Sequence, residues 1–97
     1  MARISWTDEA HGWLRDIYDY IATDNPRAAA ETVDGIYERA QTLTDFPELG
    51  ARYGASSRHV RVLLYGHYRI AYLVSDDGNI DILGVFHNAL DITRYQL

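Results

Sequence analysis

Apolar residues recur every three or four positions in the first half of the chain and every second position from residue 58 onward. The first spacing describes one face of a helix and the second one face of a strand. ARISW, residues 2–6, alternates weakly and predicts a short strand. Thr7 then reads as a helix cap, with Asp8 and Glu9 at the positive end of the dipole. Ala10, Trp13, Leu14, Ile17 and Ile21 form the buried stripe of a helix that should end near Thr23, because Asp24-Asn25-Pro26 is a turn signal. Pro26 suits the first turn of a second helix, in which Ala29, Val33, Ile36, Ala40 and Leu43 keep helical spacing to about Thr44. So short a link implies an antiparallel helical hairpin. FPELG breaks the helix, and residues 51–57 read as a loop.

Strands follow at 58–64, 68–74 and 80–86, joined by Tyr65-Gly66-His67 and by residues 75–79. NALDITRYQL is a tail, either a short helix or extended. The order β-α-α-β-β-β predicts one α+β domain over residues 1–97, a helical hairpin packed on a mostly antiparallel sheet. A three-residue loop at 65–67 would put Leu63 opposite Arg69, and a five-residue loop at 75–79 would put Tyr72 opposite Ile82 and Arg69 opposite Val85. One face then carries Val60, Val62, Leu64, Tyr68, Ile70, Tyr72, Val74, Ile80, Ile82 and Phe86, and should hold the helices. The other carries His59, Arg61, Leu63, Arg69, Ala71, Leu73, Asp81, Leu83, Val85 and His87. A two-residue turn at Asp77-Gly78 would place Asp81 on the apolar side and is rejected for that reason.

That register makes Arg61, Arg69 and His87 the candidate site. Arg61 and His87 become diagonal neighbours of Arg69, roughly 7–8 Å away at Cα. Two guanidinium groups and an imidazole converging on one face suit a phosphate or a carboxylate. A plainer reading has the arginines pairing with helix acids or reaching to water.

Composition narrows the chemistry. Among 97 residues there is no cysteine, hence no disulfide framework and no thiolate metal site. The histidines lack metal-ligand spacing, and no glycine-rich phosphate loop or nucleophile elbow is present, so neither cofactor nor metal is expected. No leader-like or membrane-length apolar run occurs, which makes the cytoplasm the expected compartment. The net charge of −5 hides an asymmetry: residues 1–50 hold ten acids and four arginines, while residues 51–97 hold four acids and five arginines. All nine basic residues are arginine. A local basic surface on an acidic body follows.

One ordered set of motifs runs through the whole chain: A-x-x-W-L-x-D-I-x-x-Y-I-A, N-P-x-A-A, L-x-x-F-P-E-L-G, R-x-V-R-V-L-L-Y-G-H-Y-R-I-A-Y-L-V and I-D-I-L-G-V-F-H-N-A-L-D. It resembles the RelE/ParE superfamily of toxins from bacterial type II toxin–antitoxin pairs. The resemblance implies a small α+β toxin that inhibits growth, stabilises plasmids and is neutralised by a cognate protein antitoxin. It also implies one of two activities. RelE-like members cut mRNA on the ribosome, whereas ParE-like members poison DNA gyrase and are not nucleases.

The RelE residue set uses lysines, and this chain has none. Related nucleases use a glutamate, an arginine and a histidine followed by tyrosine. Glu48, Arg61 or Arg69, and His87 could supply the first three, but Asn88 stands where the tyrosine would be. The N-P-x-A-A turn and the H-x-A-L-D end look more ParE-like. A gyrase-directed toxin is therefore the first expectation, a ribosome-dependent nuclease the second, and an inactive antitoxin-binding module the third.

Overall fold

A computed structural model describes residues 2–54 and 58–87. Strand β1 (Ile4–Trp6) leads into helix α1 (Asp8–Ala22) and helix α2 (Pro26–Gln41), which ends in a 3-10 turn at Thr42–Thr44. Strands β2 (Ala51–Arg52), β3 (Val60–Tyr65), β4 (Tyr68–Val74) and β5 (Ile80–Phe86) complete a sheet of order β1-β5-β4-β3-β2. β1 runs parallel to β5, and the other neighbours are antiparallel. The α+β architecture expected from the periodicity is the one observed. The sequence missed the two-residue edge strand β2 inside its predicted loop, and the tail from Asn88 lies outside the described residues.

Local chemistry sets the helix starts. The Thr7 hydroxyl accepts from the Ala10 amide at 3.1 Å, capping α1, and donates to the Ile82 carbonyl at 2.8 Å, tying that cap to β5. Asn25 caps α2 through its side-chain oxygen and the Ala28 amide at 3.0 Å, with Pro26 in the first turn. The helices bury Ala10, Leu14, Ile36 and Ala40 against Leu63, Ile70, Tyr72, Ile80, Ile82 and Val85 of the sheet. β1 pairs only with residues 80–82 of β5. Beyond that point Trp13 covers the strand edge, packing on Phe86 with ring centroids 4.8 Å apart.

The register of the β3–β4 hairpin differs from expectation by one residue. Tyr65 pairs with Tyr68, so the turn is the two-residue Gly66-His67, not a three-residue loop. Gly66 takes φ +57°, a conformation that glycine adopts without strain and that a two-residue hairpin turn commonly needs. A slip of one residue exchanges the two faces of a strand. Arg61, Leu63 and Tyr65 therefore face the helices together with Tyr72, Ile70 and Tyr68, while Val60, Val62 and Leu64 share the outer face with Arg69. The five-residue link 75–79 does pair Tyr72 with Ile82 as expected. A bulge between Ala71 and Tyr72 then moves Arg69 opposite Phe86 instead of Val85.

Candidate functional site

The three residues singled out from the sequence do not meet. Arg61 points to the helix side, where its Nη1 donates to the Gly50 carbonyl at 2.7 Å and the Glu48 carbonyl at 3.3 Å. Arg69 lies on the outer face, between Leu64 and Phe86, and its buried Nε has no hydrogen-bond partner among the described residues. His87 follows β5 at the other end of the sheet, exposed, with its ring 5.3 Å from that of Tyr68. Tyr68 stands four residues from the Arg61 partner Tyr72, about 13 Å along an extended strand. The expected convergence on one face is thus corrected. The two arginines were expected together on a three-residue turn, and the two-residue turn separates them by the full thickness of the sheet, while the β4–β5 bulge takes His87 off the face of Arg69.

What the structure assembles instead centres on the PELG turn, residues 47–50. Tyr72 is fully buried, and its hydroxyl donates to the Pro47 carbonyl at 2.8 Å and accepts from the Gly50 amide at 2.9 Å. Gly50 has no room for a side chain: a Cβ there would lie 2.8 Å from the Tyr72 ring and from the Val62 carbonyl. The Arg61 guanidinium holds the turn from the other side. Burial pushes the Tyr72 phenol above its ordinary pKa, opposed by the Gly50 amide and the Arg61 charge and reinforced by Glu48.

Beside the turn opens a cleft of about 360 Å³ lined by Glu48, Arg52, His59, Arg61, Ser75 and Asp76. The sequence offered Arg61 and Glu48 from this set. It missed Arg52 and His59 as site residues; Arg52 reaches the cleft through the β2–β3 pairing that sets it opposite Arg61, a strand the sequence read as loop. Next in sequence to the lining residue Asp76, Asp77 accepts from the Ser75 hydroxyl and the Asn79 amide, bonds that lower its carboxyl pKa. His87 instead lines a separate, mainly apolar groove of about 410 Å³ with Trp13, Asp16, Ile17, Tyr20 and Tyr68. Burial, and the nearby Tyr20, raise the Tyr68 phenol. Among the described residues, no group of three or more His, Cys, Asp or Glu could hold a metal ion. No helix among them is long and apolar enough to cross a membrane.

With this geometry in place, comparison with known proteins assigns the chain to a family. A family model described as the ParE toxin of the type II toxin-antitoxin system parDE matches residues 4–92. The chain belongs to the ParE toxin family. Its type II toxin–antitoxin role, as the toxin component, follows from that membership and from its relatives. Toxin RelE2 of Caulobacter vibrioides is 34% identical over 89 residues, covering 92% of this chain and 98% of that protein. The toxin homologue Y4kP of Sinorhizobium fredii is 36% identical over 85 residues, covering 88% and 86%. Among solved structures, the chromosomal ParDE toxin–antitoxin system from P. aeruginosa superposes with a TM-score of 0.76 at 26% identity, covering 91% of this chain and 97% of that one. The RelBE2 toxin–antitoxin complex of Mycobacterium tuberculosis shares the fold, with a TM-score of 0.60 at 22% identity over 90% of this chain and 98% of that one. ParE and RelE names both occur among these relatives, so the family fixes the toxin class and leaves its target to the residues.

Proposed function

We propose that this toxin acts by binding, in the ParE manner on DNA gyrase, and that a cognate protein antitoxin holds it inactive. On this reading it works in the cytoplasm. The observation that carries the proposal is the dispersal of Arg61, Arg69 and His87. Cleavage of RNA by its own 2′-hydroxyl needs a base, an acid and cations within reach of one phosphate. Here one arginine braces backbone carbonyls, the second lies across the sheet, and the histidine sits about 13 Å along the strand. The net charge of −5 also opposes close approach to ribosomal RNA. The match to the parDE toxin family supports the same target class.

The test pairs two assays on the purified toxin. Inhibition of gyrase supercoiling, with mRNA left intact by primer extension in a translating extract, is the expected result. Ribosome-dependent cuts without an effect on gyrase would sink the proposal. A second reading, mRNA cleavage, is favoured by one feature: the cleft brings a carboxylate, an imidazole and two guanidinium groups together at Glu48, His59, Arg52 and Arg61. If that reading holds, the cuts should disappear in His59→Ala.

A further inference from the structure

The turn that Tyr72 and Arg61 hold in place carries its own apolar side chains outward. Phe46 is 64% exposed and Leu49 46% exposed. The segment is fixed from several directions. The Phe46 amide donates to the Thr42 carbonyl and the Leu49 amide to the Phe46 carbonyl, each at 3.1 Å. Tyr72 grips Pro47 and Gly50, and Arg61 grips the Glu48 and Gly50 carbonyls. A fully buried phenol and a strand arginine are thus committed to presenting a phenylalanine and a leucine to solvent. Rigid, exposed apolar anchors are what protein–protein contacts use, because their ordering has already been met by folding.

Two hollows flank the knob. One, of about 490 Å³, is shallow and mostly apolar, lined by Phe46, Pro47, Leu49 and Val74. The other is the charged cleft, and Glu48 and Val74 belong to both. In that cleft the bonds of Arg61 go to neutral carbonyls, and neither it nor exposed Arg52 has a carboxylate at ion-pair distance among the described residues. Glu48 and Asp76 line the same cleft, which repels a run of acids, while a single carboxylate placed between Arg52 and Arg61 would meet two guanidinium groups that have no direct ion pair among the described residues.

We infer that the 46–50 turn is the surface through which the toxin grips its target. The occupant is a protein segment that sets an apolar side chain against Phe46 and Leu49 and one acidic side chain between Arg52 and Arg61. The inference builds on the binding mode proposed above and names its surface. A protein fits better than a nucleic acid, because the knob offers apolar contact on a chain of net charge −5.

Gyrase binding by surface plasmon resonance, read beside growth arrest on induced expression, tests it. The double variant Phe46→Ala/Leu49→Ala should weaken gyrase binding by about tenfold or more and lose arrest to match, with an unchanged melting curve, since both side chains are exposed. Arg52→Glu should weaken binding independently. Wild-type gyrase binding that the double variant retains in full would overturn this surface while leaving the gyrase reading intact. Wild type that fails to bind gyrase would remove the gyrase reading instead. Growth arrest then judges the surface: arrest undiminished in the double variant overturns it, and arrest lost supports it. A wild-type dimer that the double variant breaks, or RNA that the wild type retains and the double variant releases, would also overturn it by giving the surface a different occupant.

Discussion

Tyr72→Phe isolates the lock on the PELG turn. The substitution keeps the ring and leaves no cavity, so its effect comes from two hydrogen bonds. The Gly50 amide, in a buried residue, loses its acceptor at 2.9 Å, and the Pro47 carbonyl, half-buried, loses its donor at 2.8 Å. An unpaired buried amide costs about 1–3 kcal/mol, and a carbonyl that water can reach costs about 1 kcal/mol, so the loss should be about 2–4 kcal/mol. In a domain of this size that lowers the melting temperature by about 10–30 °C. Urea unfolding followed by circular dichroism gives the number, and an unchanged denaturant slope shows that only stability moved.

A pH arm checks the same group. Burial raises the folded-state pKa of Tyr72 above its ordinary value near 10. The folded chain therefore holds the phenolic proton more tightly than the unfolded chain does. That contribution is complete below pH about 10 and is lost as pH climbs through the folded pKa. Wild type should weaken in alkali more steeply than Tyr72→Phe, which keeps the contribution of Tyr68, also raised by burial, but loses that of Tyr72. A Tyr72→Phe protein within about 0.5 kcal/mol of wild type, with the same alkaline slope, would refute the lock, because a lost pair of buried hydrogen bonds costs more than that.

Three further outcomes follow from the geometry. Arg61→Ala should cost about 1.5–3 kcal/mol in urea unfolding, the range for hydrogen bonds to a charged group, and Arg61→Lys should recover less than half, because a strongly hydrated ammonium on a flexible stem is not pre-oriented on the two carbonyls as the rigid guanidinium Nη1 is. Thr7→Ala removes both a helix cap and the tie to Ile82 and should cost about 1–2 kcal/mol, with amide exchange rising first at the start of α1. Gly66→Val forces a β-branched residue to φ +57° and should cost about 1–2 kcal/mol, whereas Gly66→Asn should be tolerated.

The helices were legible because their signals are local. Thr7 and Pro26 mark the starts, and the stripe from Ala10 to Leu43 marks the buried faces; the cap at Asn25 was read only as part of the turn. Strands β1, β3, β4 and β5 were legible to within two residues at either end, whereas the two-residue β2 was read as loop. The site was not, because it depends on counts that no single residue announces. Whether Tyr65 belongs to the turn or the strand decides which face Arg61 and Arg69 occupy. Gly66 hinted at the tighter answer, since a glycine at the first position of a two-residue turn is a common hairpin signal. The β4–β5 bulge was hidden in the same way. Its trace is Gly84, whose missing side chain leaves room for the Phe86 ring, 2.9 Å from where a Cβ would sit. His87 then falls beside Tyr68, away from both arginines.

Arginine in a strand that also lines the core now has a physical reason at position 61. A guanidinium carries five N–H donors and can satisfy backbone acceptors with one nitrogen while the others remain available. Here Nη1 spans the Glu48 and Gly50 carbonyls, so the side chain is fixed in orientation before any partner arrives. It has no carboxylate at ion-pair distance among the described residues, and it lines the cleft that it shares with Arg52, His59, Glu48 and Asp76. A lysine would concentrate the charge on one mobile ammonium, bracing the turn or facing the cleft but not both. Stability and recognition therefore rest on the same group. A variant at Arg61 that lost toxicity would be uninterpretable alone, whereas Arg52→Glu, exposed and outside the brace, separates the partner contact from the fold.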